Sequence, residues 1–161
     1  MRQRQSLQSS EEFGLVDTAQ AKEVARIFLR HPDIHRVEVF GSVARDGSGN
    51  DLDIILITDE DLALDFLEIA EAKIKRWAQT TAQESVYNNP HLRQEVAVQV
   101  LGDDFVDVLA ATGRIVDIAH LDVFVFSTDW RDYLETLQEA LPHHDPQFMR
   151  HVAHDARVLA P

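Results

Sequence analysis

Two aspartates separated by one residue, Asp51 and Asp53, stand at the start of an apolar run, Ile54–Ile57. A short continuous apolar run of this kind is typical of a buried strand. Because strand side chains alternate between faces, both carboxylates would project the same way, with Cα atoms roughly 6.6 Å apart at about 3.3 Å per residue. Paired carboxylates can bind a hard cation such as Mg²⁺, which completes its coordination with water and phosphate oxygens. The spacing therefore predicts a metal–phosphate site.

An isolated Asp-x-Asp is more often a solvated pair, one residue in a loop and the other on an exposed strand face. Here Asp53 lies where a strand that is apolar on both faces emerges from the core. An acid in such a place costs free energy unless it is paired or bound to a metal. The context favours a functional pair over a solvated one.

A Gly-Ser pair, Gly41 and Ser42, follows the apolar segment 36–40. Such a turn at the start of a helix presents backbone amides to phosphate oxygens, and the hydroxyl adds a further donor. Gly41 also permits close approach of the backbone, because it has no side chain. Arg45 lies on the short helical turn that follows. Contact of its side chain with phosphate or a partner and exposure of the side chain to solvent are equally good interpretations.

Together these residues resemble the signature of the nucleotidyltransferase superfamily of the polymerase-beta type. The resemblance is carried by Gly41-Ser42-Val43-Ala44-Arg45, then Gly47, then Asp51-Leu52-Asp53-Ile54-Ile55-Leu56. It is closest to the minimal nucleotidyltransferases, including the antitoxin partners of HEPN toxins. The motif covers about 20 of the 161 residues, and the flanking elements extend the similarity to roughly the first 80. The interval before Asp51 is shorter than in many relatives, and Asn50 stands where a serine is common.

The resemblance implies a metal-dependent nucleotidyltransferase. Gly41 and Ser42 would hold a nucleoside triphosphate, expected to be ATP, while Asp51, Asp53 and a third acid would bind two Mg²⁺ ions. The nucleotidyl group, AMP from ATP, would pass to a hydroxyl of a protein or of a small molecule such as an aminoglycoside. The alternative is a non-catalytic, antitoxin-like binding module, which keeps the fold and neutralises a cognate toxin by contact.

The third acid is expected on the segment 115–126, whose β-branched and aromatic residues predict a strand. The segment offers Asp117 and Asp122, and their opposite parity means that a regular strand cannot direct both at one site. We favour Asp122, because residues 120–127 resemble the third strand of the family. Asp117 remains the alternative. The third acid would serve as a metal ligand and as a proton acceptor.

The elements that must position these residues follow from periodicity and capping. They predict an α/β (α+β) domain in which a small mixed β-sheet is flanked by helices, with 1–16 as a disordered tail and 17–161 as one domain. The resemblance implies that this domain has the nucleotidyltransferase fold. The helices are predicted at 18–30 (capped by Asp17 with Gln20), 58–79 (capped by Thr58), 91–112 (bent or interrupted at Gly102), 128–141 and 146–159, and the strands at 36–40, 51–57 and 115–126.

Composition limits the classes of partner. The chain has no cysteine, which excludes disulfides, thiolate zinc sites and cysteine nucleophiles. It carries 15 basic and 28 acidic residues, a net charge of −13, so a long nucleic-acid substrate is disfavoured, whereas nucleotides with Mg²⁺ or a basic partner fit. The apolar runs are too short to span a membrane and no signal peptide is evident, which makes a cytoplasmic location the expectation.

Histidines cluster near the C-terminus at 143, 144, 151 and 154. Adjacent histidines in a polar loop rarely converge on one ion, and an i, i+3 pair on a terminal helix usually faces water. We therefore expect no metal binding there.

Overall fold

The computed structural model describes residues 15–78 and 90–160. The strands are β1 (Val16–Asp17), β2 (Arg36–Phe40), β3 (Ser48–Gly49), β4 (Leu52–Thr58), β5 (Leu121–Ser127) and β6 (Arg157–Ala160). The helices are α1 (Thr18–Phe28), α2 (Ser42–Asp46), α3 (Glu60–Ala78), α4 (Pro90–Leu101), α5 (Asp103–Thr112), α6 (Leu134–Ala140) and α7 (Phe148–Asp155), with 3₁₀ turns at Ile118–His120 and Trp130–Tyr133.

Four strands form a mixed sheet in the order β5-β4-β2-β6. β4 and β5 are parallel, whereas β2 is antiparallel to both of its neighbours. β1 and β3 form a separate antiparallel pair in which Val16 is opposite Gly49. The prediction of a small mixed sheet flanked by helices is confirmed.

The sheet is buried because helices cover both of its faces. In β4, residues 54 and 56 point to one face and residues 55 and 57 to the other, and all four are at most 1% exposed. α3 and α4 pack against β5, and α7 packs against β2. The apolar run next to the aspartate pair is therefore the centre of the core, as the sequence predicts.

The first helix begins with the predicted cap. Asp17 Oδ1 accepts a hydrogen bond from the Gln20 amide at 2.8 Å, and Gln20 Oε1 accepts one from the Asp17 amide at 3.0 Å. This reciprocal capping box satisfies two amides that the first helical turn leaves without partners. The cap fixes the start of α1 at Thr18, directly after β1.

Gly102, at φ 87°, interrupts the predicted helix 91–112, which is one of its two expected effects, and divides it into α4 and α5. Two predicted boundaries are wrong. The predicted strand 115–126 begins only at Leu121, because a 3₁₀ turn precedes it. The predicted helix 146–159 ends at Asp155, and the chain then forms β6 along the edge of β2. A short edge strand is defined by its hydrogen-bonding partner more than by its own pattern.

Other differences are smaller. Thr58 ends β4 and does not cap α3, which begins at Glu60. The predicted helix 128–141 contains a 3₁₀ turn, followed by α6. Most of the predicted tail, residues 1–14, lies outside the described residues, but Val16 is 2% exposed and belongs to β1. In the two described stretches, no helix combines the length and apolarity needed to cross a membrane.

Candidate active site

Two of the predicted acids lie side by side on the sheet. Asp53 of β4 and Asp122 of β5 are register partners on adjacent parallel strands, each the second residue of its strand. Partners in register project from the same face of a sheet. Asp51 lies one residue before β4 and lines the same cleft. The structure therefore brings Asp51, Asp53 and Asp122 together.

The alternative third acid is elsewhere. Asp117 precedes the 3₁₀ turn, where its Oδ1 accepts a hydrogen bond from the Ala119 amide at 3.0 Å. It is not among the residues that line the cleft. Position supports Asp122 over Asp117, but the strand-parity argument does not apply, since Asp117 is outside the strand.

The cleft beside the acids has a volume of about 450 Å³. One wall of the cleft is aromatic: it is formed by the rings of Phe40, Phe124 and Phe148, with centroids 5.6–6.4 Å apart. The acids and the rings share one face of the sheet, because Phe40 is the register partner of Asp53. A charged floor and a flat apolar wall suit a ligand with both an ionic part and a planar ring.

Asp53 is held in an unfavourable electrostatic environment. Its pKa is raised from the usual 3.8 to about 7, first by burial and then by the negative charges of Asp122 and Asp51. The positive charges of Arg93 and Arg45 offset part of this effect. Among residues 15–78 and 90–160, none forms an ion pair with Asp53. A bound cation would relieve this environment.

Gly41 approaches this acid closely. Its backbone has φ 77° and ψ −154°, a region open essentially to glycine alone. A Cβ atom at this position would collide with Asp53 Oδ2. The glycine of the Gly-Ser pair is therefore required by the backbone conformation of its turn, and the close approach of the turn to Asp53 adds a second reason.

Ser42 and Arg45 lie beside the cleft and do not line it. Ser42 begins α2, and its Oγ packs so tightly against Gly49 that a Cβ atom there would collide with it. Arg45 Nη1 is 2.9 Å from Asp155 Oδ2, which ties α2 to α7. In this structure Arg45 is a tether between two helices, and its partner belongs to the same chain.

Two partners of the acids were not predicted from the sequence. Arg93 of α4 donates two hydrogen bonds to Asp122, from Nε at 2.7 Å and from Nη2 at 2.9 Å. His120 Nδ1 lies 2.8 Å from Asp51 Oδ1. His120 could have been predicted as a cleft residue, because it lies only two residues before the favoured third acid in the sequence. No local pattern indicates Arg93, because the contact spans 29 residues.

His143 is a third unexpected member of the cleft. Its ring stacks on Phe148 with centroids 4.0 Å apart and planes 7° from parallel, and its Nδ1 accepts a hydrogen bond from the Asp145 amide. The pKa of His143 is lowered, first by burial and then by His144. A neutral ring therefore extends the aromatic wall. Sequence reasoning did not place His143 in this cleft, and the expectation that the histidines bind no metal stays a prediction.

The donor chemistry suits a hard cation, but the side chains are not arranged around one. No group of three or more histidine, aspartate or glutamate side chains within the described ranges is placed to hold a metal ion. The reason is visible: Asp51 is engaged by His120 and Asp122 by Arg93. Three carboxylates in one cleft, one with a raised pKa, nevertheless form the oxygen-rich donor set that Mg²⁺ prefers.

Comparisons of the chain with protein-family models, curated proteins and solved structures found no match.

Proposed function

We propose that the chain is a metal-dependent nucleotidyltransferase, which moves a nucleotidyl group, AMP from ATP, to a hydroxyl of a protein or small-molecule acceptor and releases pyrophosphate. One observation carries the proposal: Asp53 and Asp122 are register partners on parallel strands, and Asp51 lines the same cleft. Asp51 and Asp53 belong to the sequence motif, and Asp122 is the favoured of its two candidates for the third acid. The contact of Gly41 with Asp53 adds support, because it brings the Gly-Ser turn to the acids.

Each residue has a role in this proposal. Asp51, Asp53 and Asp122 would hold Mg²⁺, which when bound neutralises phosphate charge and helps to ionise the acceptor hydroxyl. Gly41 and Ser42 would contact the triphosphate from the turn beside Asp53. Asp122 would also take up the proton of the acceptor. The aromatic wall would stack against a planar ring, such as a nucleobase, and exclude water from the reacting groups.

The charge of the chain indicates which acceptors are favoured. A net charge of −13 repels long nucleic acids and attracts cationic small molecules or basic protein surfaces. A cognate toxin is one candidate protein acceptor or partner. We place this activity in the cytoplasm, where ATP and Mg²⁺ are available.

A specific observation favours the non-catalytic alternative as a second candidate. Asp122 is engaged by Arg93 through two charge-assisted hydrogen bonds, which makes this acid a structural residue in the ligand-free protein. An antitoxin-like module would retain such a pair and bind its partner without nucleotide. The two candidates therefore differ in whether Mg²⁺ promotes nucleotide binding.

The test is calorimetric titration with ATP, GTP, CTP and UTP, with and without Mg²⁺, followed by transfer assays with α-labelled nucleotide and cell extract. We expect Mg²⁺-dependent binding that falls at least about tenfold in Asp53→Asn and Asp122→Asn. Asp117→Asn is the matched control, because asparagine keeps the capping hydrogen bond outside the cleft.

Nucleotide binding that ignores Mg²⁺ or is absent altogether would contradict the enzyme. An equal, mild loss in Asp117→Asn and Asp122→Asn would overturn the assignment of Asp122 as the third acid. Binding of a cognate toxin that is unaffected by Asp53→Asn would instead favour the non-catalytic module.

A further inference from the structure

Arg93 is positioned like a bound cation within the acid cleft. Its side chain is only 9% exposed and that of Asp122 is 15% exposed, so both charges are largely withdrawn from water. The guanidinium uses Nε and Nη2 to engage both carboxylate oxygens of Asp122, and its Cζ lies 5.1 Å from the ring centroid of Phe124. Two parallel hydrogen bonds and a stacked ring fix the group in one orientation.

The charge of Arg93 reaches more than one acid. Arg93 lines the cleft together with Asp51, Asp53 and Asp122, and its positive charge also lowers the pKa of Asp53. It therefore supplies part of the positive charge that a bound cation would supply. A guanidinium cannot lose its proton at any ordinary pH, so this charge is permanent.

We propose that Arg93 is the internal counter-cation of the acid cluster: it occupies Asp122 in the ligand-free protein and competes with a divalent cation for that carboxylate. The inference rests on the proposed function and adds a residue that regulates cation binding at its site. A divalent ion on Asp122 would lie beside the guanidinium, and the two positive charges would repel at short range. Arg93 must therefore release Asp122 when the cation binds, which lowers the cation affinity of the cleft.

The experiment measures Mn²⁺ binding by calorimetry at about pH 8, above the pKa of about 7 of Asp53. We expect Arg93→Gln to bind Mn²⁺ about tenfold more tightly than the native protein, since the competing charge is gone. Arg93→Lys keeps the charge but loses the two-point contact, so a gain of about threefold is expected. Arg114→Gln is the matched control, because Arg114 is exposed and lies outside the cleft lining.

The double variant Arg93→Gln/Asp122→Asn locates the effect. If the gain arises at Asp122, it disappears when that carboxylate is removed. A gain that persists in the double variant would overturn the assignment of Asp122 as the contested ligand. A folded Arg93→Gln protein with unchanged or weaker Mn²⁺ binding would overturn the competition itself. If Arg93→Gln does not fold, as judged by circular dichroism, the absence of any gain in Arg93→Lys has the same meaning.

The result separates this inference from the proposed function. Tighter Mn²⁺ binding in Arg93→Gln supports the competition even if no nucleotide binds, in which case the transferase proposal alone fails. Mg²⁺-dependent nucleotide binding with a Mn²⁺ affinity indifferent to Arg93 overturns only the competition. Absence of Mn²⁺ binding in every variant overturns the inference, because the acids are then not a cation site.

Discussion

Two carboxylates on the same face of the sheet, the buried Glu38 and the half-buried Asp53, differ in how their charge is compensated. Glu38 of β2 has a completely buried side chain, and two arginines serve it: Arg131 Nη2 lies 2.8 Å from Oε1 and Arg36 Nη2 lies 3.1 Å from Oε2. Asp53 of β4 has no ion-pair partner in the described parts of the chain, and its pKa is raised to about 7. Both project to the face of Phe40, which is two residues from Glu38 and opposite Asp53.

The difference separates a structural acid from a candidate functional one. Buried charges in stable proteins are normally paired, and Glu38 follows that rule within the chain itself. Asp53 departs from it at the edge of a cleft, among two further carboxylates. An acid whose compensation is left incomplete is a place where a ligand can supply what the protein does not. Three stability measurements test whether this contrast is real.

The largest effect is expected at the paired acid. Glu38→Gln removes the charge but not the volume, and leaves Arg36 and Arg131 without their shared partner. We expect the free energy of unfolding to fall by about 3 kcal/mol, at the low end for broken buried pairs because both arginines retain some contact with water. Urea unfolding measures the change. Glu68→Gln, on the exposed side of α3, should stay within about 0.5 kcal/mol, and an equally small change at Glu38 would remove the contrast.

A somewhat smaller loss is expected where the backbone meets the unpaired acid. Gly41→Ala places a Cβ against Asp53 Oδ2 in a backbone region that alanine rarely adopts. We expect a loss of roughly 2 kcal/mol in urea unfolding. Gly47→Ala is the control: Gly47 also has a positive φ, but a Cβ there would meet only Thr18 Oγ1, in ordinary contact at 4.0 Å, so about 1 kcal/mol is expected. Equal losses at the two glycines would show that the contact with Asp53 is unimportant.

The smallest effect has the opposite sign and depends on pH. Because the pKa of Asp53 is about 7 when folded and near 3.8 when unfolded, folding favours the protonated carboxyl, and its contribution is complete below about pH 4 and lost as pH rises through about 7. Asparagine does not ionise, so Asp53→Asn does not lose this stability as the pH rises. Relative to the native protein, the variant should gain about 1–2 kcal/mol between pH 4 and pH 8, less than the full value of about 1.4 kcal/mol per pH unit because neighbouring groups relax.

Thermal unfolding of the two proteins across this pH range measures the difference between them. A difference that stays constant with pH would mean that Asp53 is compensated in the folded protein. Asp53 and Glu38 would then both be compensated acids, and the contrast between them would be wrong.

The elements that sequence reasoning predicted well are those with strong local signals. The capping box of Asp17 and Gln20 marks the start of α1, and the apolar runs of β2 and β4 mark two central strands. Local hydrogen bonds and continuous burial require particular residue types at particular spacings, which can be recognised in the sequence. The same holds for Gly41, whose missing side chain is a local requirement of its turn.

The elements that were mispredicted depend on partners distant in the chain. β6 is half-exposed and becomes a strand only by pairing with β2, more than 100 residues earlier. The β-branched segment before Leu121 has strand propensity but forms a 3₁₀ turn, because pairing with β4 begins only at Leu52. Propensity is a weak guide where tertiary pairing decides the conformation.

The sequence by itself determined that two aspartates and a Gly-Ser turn flank a buried strand, because residue type and a period of two suffice for that. It also narrowed the third acid to two positions. Only the tertiary structure placed Asp122 beside Asp53, engaged it with Arg93, and carried His143 to the aromatic wall. The pairing of Asp53 with Asp122 and the contact of Arg93 with Asp122 join segments about 70 and 29 residues apart. Strand register and helix packing set them, and neither is encoded in any short stretch of the chain.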